Sequence, residues 1–288
     1  MNNETVTVNE KQKDTIFRML YRDKKNLLEL YNGLNNTNYT NEEDLSVETL
    51  ENALYMSVKN DVAFVLDHRL NLYEHQSTYN PNMPLRDLFY VSSEYQKMVK
   101  DSSLYSTKKV RIPAPRFIVF YNGIKERPER EVLKLSDLYE IEDENPSLEL
   151  KVTILNINAG NNVGLREKCK TLNEYMLYVE RVRHYMKNKR LSVEAAVSRA
   201  INECINEGIL TEFLSKQKAE AIKVSIFEFD REKEWRLFGE AERSLGYEKG
   251  REEERKELLI SMVKDEVISI TEAANRLGIS ESEFKRYL

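Results

Sequence analysis

Hydrophobic and polar residues follow two different periods along the chain. In residues 10–35, apolar side chains recur every three to four positions, which predicts a helix. From about residue 45 to 158, short apolar runs predict strands, and one helix-like segment over 84–100 lies among them. After Gly164 the helical period returns and continues to the C-terminus. The pattern predicts an α+β region followed by an all-helical extension.

One predicted hairpin carries acidic residues on strands that look buried. Two strand-like runs, residues 61–67 and 70–77, flank a tight-turn candidate. Either of the two possible two-residue turns puts Asp61 on the face of Glu74 and Gln76, with facing Cβ atoms about 4.5–5.5 Å apart. A turn with an odd number of residues would put Asp61 on the other face. Two facing carboxylates repel each other unless a cation lies between them.

A hard divalent cation would satisfy such a pair. Mg²⁺ is held by one or two carboxylates, with water and phosphate oxygens completing its shell. A metal of this kind activates water and stabilises charge on a scissile phosphate. Gln76, two residues beyond Glu74, is placed to orient the attacking water. The alternative is that neither residue binds a metal. Asp61 would then only begin a strand, and Glu74 would face solvent on an edge strand.

Composition and charge narrow the classes of function. No apolar run approaches the roughly 20 residues of a membrane span, and the polar N-terminus shows no secretory signal. Cys169 and Cys204 suggest no disulfide framework, so we expect a cytoplasmic protein without membrane contact. The formal net charge is -5, without the basic balance of many nucleic-acid binders. If the protein binds nucleic acid, a bound metal would bridge its acidic site to this acidic polymer.

The hairpin and its neighbouring segments resemble a nuclease family. Asp61, Glu74 and Gln76 look like the PD-(D/E)XK nuclease core, in its variant with Gln replacing Lys. The segments KDTIFRMLYRDKKNLLELYNGL, NDVAFVLDHRLNLYEHQSTYNPNMPLR and PAPRFIVFYNG resemble the recombination-promoting nuclease (Rpn) family, often labelled putative transposases. The likeness runs from about residue 10 to residue 200. It implies a restriction-endonuclease-like mixed sheet flanked by helices.

The resemblance also implies an activity and a set of site residues. The activity would be Mg²⁺-dependent DNA endonuclease cleavage, with Mn²⁺ as a substitute, in recombination or in defence against foreign DNA. Asp61 and Glu74 would bind the metal, and the backbone carbonyl of His75 would add a ligand. Gln76 would position the attacking water, and Asp14 in the first helix would approach the same site.

The sequence departs from the family pattern at two positions. Asn60 stands where the motif has proline, and Gln76 in place of lysine leaves no cationic group to stabilise the transition state. An alternative reading is therefore a catalytically degenerate nuclease fold that acts as a DNA-binding or protein-interaction regulator.

Basic clusters are candidate DNA contacts. Each one can either bind phosphates or form an ordinary solvated face. The candidate phosphate ligands are Lys108, Lys109, Arg111, Arg181, Arg183 and Lys187.

The C-terminal residues resemble a helix–turn–helix. Gly278 would form the turn and Ser280 would cap the second helix, but Glu281 and Glu283 there would be repelled by phosphates. We therefore expect the C-terminal helices to form a homodimer rather than to read DNA sequence. The predicted domains are a nuclease core, a helical extension and a helix–turn–helix-like element, at residues 1–164, 165–265 and 266–288.

Overall fold

The computed structural model describes residues 15–48, 61–100, 102, 104–265 and 267–288, with only the backbone given for residues 47–48, 61 and 233–252. The chain divides into two compact units, one ending at Glu232 and the other beginning at Lys233. The first unit contains the sheet and most of the helices.

Helices and short strands alternate in the first unit and give way to helices at its end. The strands are β1 (Ser46–Glu48), β2 (Asp61–Leu66), β3 (Arg69–Gln76), β4 (Ala114–Tyr121), β5 (Arg130–Lys134) and β6 (Lys151–Asn156). The helices are α1 (Ile16–Tyr21), α2 (Lys24–Asn35), α3 (Met83–Met98), α4 (Val163–Lys168), α5 (Lys170–Asn188), α6 (Val193–Asn206), α7 (Thr211–Lys216), α8 (Lys218–Lys264), α9 (Ile270–Leu277) and α10 (Glu281–Phe284). The predicted α+β class is confirmed.

The described strands form one mixed sheet in the order β1-β2-β3-β4-β6-β5. Five strands have five to eight residues, and the three-residue β1 lies at one edge. The β2–β3 hairpin is antiparallel, whereas β3, β4 and β6 run parallel to one another. Helix α3 makes the crossover between the parallel strands β3 and β4, as such a connection requires.

Helices cover the two faces of the sheet. One core joins α1, α2, α5 and α6 to the strands, and Phe17, Tyr73 and Phe120 belong to it. The other core packs α3 on the opposite face, where Leu72 and Val119 belong to the same cluster as Tyr90. Because both faces are covered, side chains near the ends of the central strands lie in buried surroundings.

The hairpin has one of the two two-residue turns that the sequence allowed. Asp67 and His68 both have positive φ values, 50° and 58°, and occupy the two turn positions between β2 and β3. Positive φ at both central residues defines a type I′ turn, which matches the twist of paired strands. This turn sets the register, in which Asp61 pairs with Glu74. Of the two turns that the sequence left open, Asp67–His68 and His68–Arg69, the structure has the first.

The first unit extends well past the predicted boundary at residue 164. Tyr175, Val179 and Ala200 belong to the same buried core as the sheet residue Phe120. These helices bury the apolar face of the sheet, so they complete the first unit instead of forming a separate extension. The structure divides the chain after Glu232, not at residue 164 or residue 265.

The second unit ends in two short helices around a small core. Ser269 caps α9, because its side chain accepts a hydrogen bond from the backbone N–H of Glu272. Ser280 caps α10 in a reciprocal capping box, as predicted. Gly278 has a φ of 72° at the turn. Helix α10 spans only four residues, so it offers little length for a major groove. The expected homodimer through the C-terminal helices stays a prediction.

No helix among the described residues has both the length and the hydrophobicity that a bilayer crossing demands.

Candidate active site

Two of the predicted site residues meet at the end of β3. Glu74 is 4% exposed, and the side-chain amide of Gln76 donates a hydrogen bond of 2.7 Å from Nε2 to Glu74 Oε1. Residues two apart on a strand share a face, which brings this pair together. Because Gln76 is also buried, the pair forms a polar group inside the sheet.

Helix α3 adds an arginine to this pair. The Arg86 guanidinium places Nη2 2.9 Å from Glu74 Oε1, and the same nitrogen donates to the Tyr90 hydroxyl at 3.3 Å. The sulfur of Met83 accepts from Gln76 Nε2 at 2.8 Å and from Arg86 Nη1 at 3.2 Å. Glu74, Gln76 and Arg86 therefore form one connected set, held between β3 and α3.

The second carboxylate oxygen of Glu74, Oε2, lacks the contacts that Oε1 makes. Glu74 Oε2 is buried and has no hydrogen-bond partner among the described residues. A buried carboxylate oxygen without a donor is costly, by about 1–3 kcal/mol or more for a charged group. Such an oxygen marks a place where a cation or a water-bound ligand would be stabilised.

A further carboxyl group lies on the inner face of α3. Asp87 is 4% exposed, and burial, followed by the negative charge of Glu74, raises the pKa of its carboxyl well above the usual value, with Arg86 opposing the shift. The same helix leaves Leu85 and Phe89 exposed, at 41% and 56%. The buried face of α3 thus carries Asp87 and Glu94 among apolar residues, and a buried carboxyl group with a shifted pKa is a frequent feature of functional sites.

Asp61 stands opposite Glu74 in the β2–β3 ladder. The predicted pairing of these two positions is confirmed for the backbone, which is what the structure describes at Asp61. Its role as a metal ligand stays a prediction.

The donor types at this site fit a hard divalent cation. Among the described side chains, no three His, Cys, Asp or Glu residues gather at metal-binding distances. The unpartnered Glu74 Oε2 is nevertheless a buried oxygen donor of the kind that Mg²⁺ and Mn²⁺ prefer. Asp61 and Glu74 would hold the ion, with the backbone carbonyl of His75 as the predicted third ligand.

The His75 side chain lies on the other face of the sheet. Its Nε2 is 3.0 Å from the Tyr175 hydroxyl, and its ring stacks on Phe17 at 5.1 Å. Burial, together with the positive charge of Arg183, lowers the pKa of His75 to about 3. An imidazole that is neutral and enclosed in the core serves packing, so the surroundings of this side chain indicate a structural role.

One group of predicted phosphate contacts lies at the far end of the sheet. Lys108, Lys109 and Arg111 are exposed in the loop before β4. That strand begins at Ala114, which pairs with the start of β3, five residues before the partner of Glu74. At about 3.3 Å per residue, the start of β4 is roughly 16 Å from the Glu74 level. The structure does not bring these three cations to the Glu74 site.

Two residues of the second basic group form ion pairs within the protein. Arg181 forms an ion pair of 2.7 Å with Glu207, and Arg183 contacts both carboxylate oxygens of Glu232 at 3.0 and 3.1 Å. Lys187 is exposed. Two of these three predicted phosphate ligands therefore already have carboxylate partners, which makes them weaker candidates. Asp14 lies outside the described residues.

No protein-family model, curated protein or solved structure matches this chain. A proposal for function therefore depends on the geometry of the Glu74 site and on the sequence resemblance.

Gly123, close to the site, lies where there is no room for a larger side chain. A Cβ at Gly123 would overlap the backbone oxygen of Ser77, the residue after Gln76, and the Tyr121 hydroxyl. We expect Gly123→Ala to lower the free energy of unfolding by about 1–3 kcal/mol, measured by urea denaturation. Gly164→Ala, where a Cβ would meet nothing within 4 Å inside helix α4, is the control and should not destabilise. Equal stability of the two variants would contradict the close approach at Gly123.

Proposed function

We propose that this protein is a metal-dependent endonuclease that hydrolyses phosphodiester bonds of DNA. The observation that carries the proposal is the end of the hairpin. There, Asp61 and Glu74 occupy paired positions, Gln76 is bonded to Glu74, and the second Glu74 oxygen is buried without a partner. These features support a metal site at the end of the hairpin.

The fold and the sequence resemblance support the same proposal. A mixed sheet with helices on both faces agrees with a restriction-endonuclease-like core and with membership of the recombination-promoting nuclease family. Action on DNA in recombination or in defence, in the cytoplasm, is part of this proposal.

Each residue of the site has a distinct task in such a reaction. A bound divalent ion would lower the pKa of a coordinated water and stabilise charge on the phosphate. Asp61 and Glu74 would supply its oxygen ligands. Gln76 Nε2 is held by Glu74 and Met83, whereas no described residue donates to its amide oxygen. That oxygen is the group that accepts a hydrogen bond from the attacking water and orients it.

One observation favours a second candidate, a nuclease fold without catalysis that regulates through binding. Arg86 already neutralises Glu74 at 2.9 Å, so the carboxylate has a counter-ion without any metal. In that case the site would stabilise the fold, and DNA or protein binding would depend on other surfaces, including residues 266–288.

The test is plasmid cleavage by the purified full-length protein. Supercoiled DNA is incubated with the protein and Mg²⁺ or Mn²⁺, beside a reaction with EDTA. We expect nicked or linear product only with metal. Absence of cleavage by folded protein with either ion, together with no Mn²⁺ binding by calorimetry, would contradict the nuclease and favour the second candidate.

A further inference from the structure

Arg86 is a cation built into the candidate site by a helix rather than by the hairpin. Its Nη2 contacts Glu74 Oε1 at 2.9 Å and the Tyr90 hydroxyl at 3.3 Å, and Nη1 contacts the Met83 sulfur at 3.2 Å. These contacts fix the position of the guanidinium on several sides. The side chain is still 16% exposed, so the group is ordered yet accessible from solvent.

The charge balance of the site indicates a role for the Arg86 guanidinium in attracting the phosphate. The paired positions Asp61 and Glu74 carry two negative charges, which balance the two positive charges of one Mg²⁺. No net charge then remains to attract the phosphodiester, and Gln76 contributes none. A guanidinium beside the same carboxylate makes the loaded site positive, and arginine is the side chain best suited to phosphate oxygens.

We propose that Arg86 is the phosphate-binding cation of this site, in the role that a lysine at position 76 would otherwise have. The inference rests on the proposed nuclease function. Arg86 contacts only Oε1 of Glu74, and Oε2 is the oxygen without a described partner. Metal and arginine can therefore use different oxygens of one carboxylate, and neither has to displace the other.

The reaction that Arg86 would assist is an in-line hydrolysis. The oxygen of water forms a bond to phosphorus, its proton passes to solvent, and the P–O bond to the leaving oxygen breaks. That oxygen takes a proton from solvent, so the products are a phosphate monoester end and a free hydroxyl end. Negative charge on the non-bridging oxygens grows during the attack, and a fixed guanidinium stabilises it most at that point.

The experiment compares Arg86→Gln and Arg86→Lys with a matched control in the wild-type background. Arg199→Gln is the control, because Arg199 also pairs with a glutamate, Glu203 at 3.0 Å, and also lies over a tyrosine ring. Three quantities are measured: Mn²⁺ affinity by calorimetry, affinity for uncleaved duplex in Ca²⁺, and the single-turnover cleavage rate in Mg²⁺. Circular dichroism confirms that each variant is folded.

We expect Arg86→Gln to retain Mn²⁺ affinity, or to raise it several-fold because a nearby positive charge is lost. Its cleavage rate should fall about 10²- to 10³-fold, with weaker binding of duplex. Arg86→Lys should recover part of the rate, and Arg199→Gln should match the wild type. This pattern separates a phosphate-binding role from a purely structural one.

Two results would overturn the role of Arg86 while leaving the nuclease proposal intact. One is wild-type cleavage by Arg86→Gln. The other is a folded Arg86→Gln protein that loses Mn²⁺ binding together with cleavage, since the arginine would then only hold Glu74 in place. A wild-type protein that neither binds Mn²⁺ nor cleaves would instead refute the proposed function and, with it, this inference.

Discussion

Replacing Glu74 with glutamine is expected to abolish metal-dependent cleavage and to weaken Mn²⁺ binding while the protein stays folded. Glutamine has nearly the same shape, so the side chain keeps its place between Gln76 and Arg86. The substitution removes the negative charge and the carboxylate oxygen Oε2, which has no described partner. A site that stabilises transition-state charge typically loses about 10³-fold in rate when a central group is removed.

Loss of stability must be separated from loss of the site. Glu232→Gln is a matched control, because Glu232 is also a largely buried carboxylate bound to an arginine, Arg183, but in the layer beyond the other face of the sheet. Each variant replaces a carboxylate that contacts a guanidinium, so we expect similar destabilisation in urea. Asp61→Ala should share the cleavage defect of Glu74→Gln. Equal cleavage by Glu74→Gln and Glu232→Gln would contradict the assignment of the site.

The hairpin could be predicted from sequence because local rules determine it. The turn residues Asp67 and His68 and the alternation of the flanking strands leave few possible registers. Asp61 and Glu74 then pair as a direct consequence of turn length. The family resemblance contributed the chemistry, since a pair of acidic residues alone is equally compatible with a strand end.

The contribution of α3 could not be predicted in the same way. Helical periodicity favours an apolar buried face, yet this helix buries Asp87 and Glu94 and exposes Leu85 and Phe89. Only the packing of α3 on the end of β3 shows that Arg86 reaches Glu74. The spacing of Met83, Arg86 and Tyr90 along one helix was the available signal, but it has meaning only once the sheet is known.

The compact units do not follow the predicted boundary at residue 164, for a related reason. The change from strand-like to helix-like sequence at residue 164 is real, but the helices after it pack on the sheet. A change of secondary structure marks a boundary only when each side can bury its own core. Strand β5 was also not predicted, because it is an edge strand in which only Leu133 is buried.

On the face of the sheet that does not carry Glu74, the core contains a buried acid–imidazole pair. His75 Nδ1 is 3.8 Å from Glu228 Oε1, which is too long for a hydrogen bond. Burial lowers the pKa of His75 to about 3 and raises the pKa of Glu228 to about 7. Arg183, paired with Glu232, adds positive charge nearby, opposing protonation of His75 and favouring ionisation of Glu228. The neutral acid and neutral imidazole are therefore the favoured forms between pH 4.5 and 6.5.

These two shifts act on stability with opposite signs. The unfolded chain protonates a histidine below about pH 6.5, and folded His75 does not, so its contribution to stability is lost as the pH falls. Folded Glu228 keeps its proton up to about pH 7, whereas the unfolded glutamate releases it above about 4.3. The contribution of Glu228 is therefore lost as the pH rises. Between pH 4.5 and 6.5 the two effects cancel in the wild type.

Single substitutions should expose each effect. Relative to the wild type, we expect the free energy of unfolding of Glu228→Gln to fall by about 1.4 kcal/mol for each pH unit between 6.5 and 4.5, because His75 then acts alone. For His75→Gln it should rise by a similar amount over the same interval. Urea denaturation at several pH values measures both slopes, and taking differences from the wild type removes the contribution of Asp87 and the other carboxyl groups.

Parallel pH profiles for the two variants would show that the pair is not buried as the structure has it. Slopes of opposite sign would establish that the His75 face of β3 holds a neutral structural pair, which is separate from the Glu74 face where the metal site is proposed.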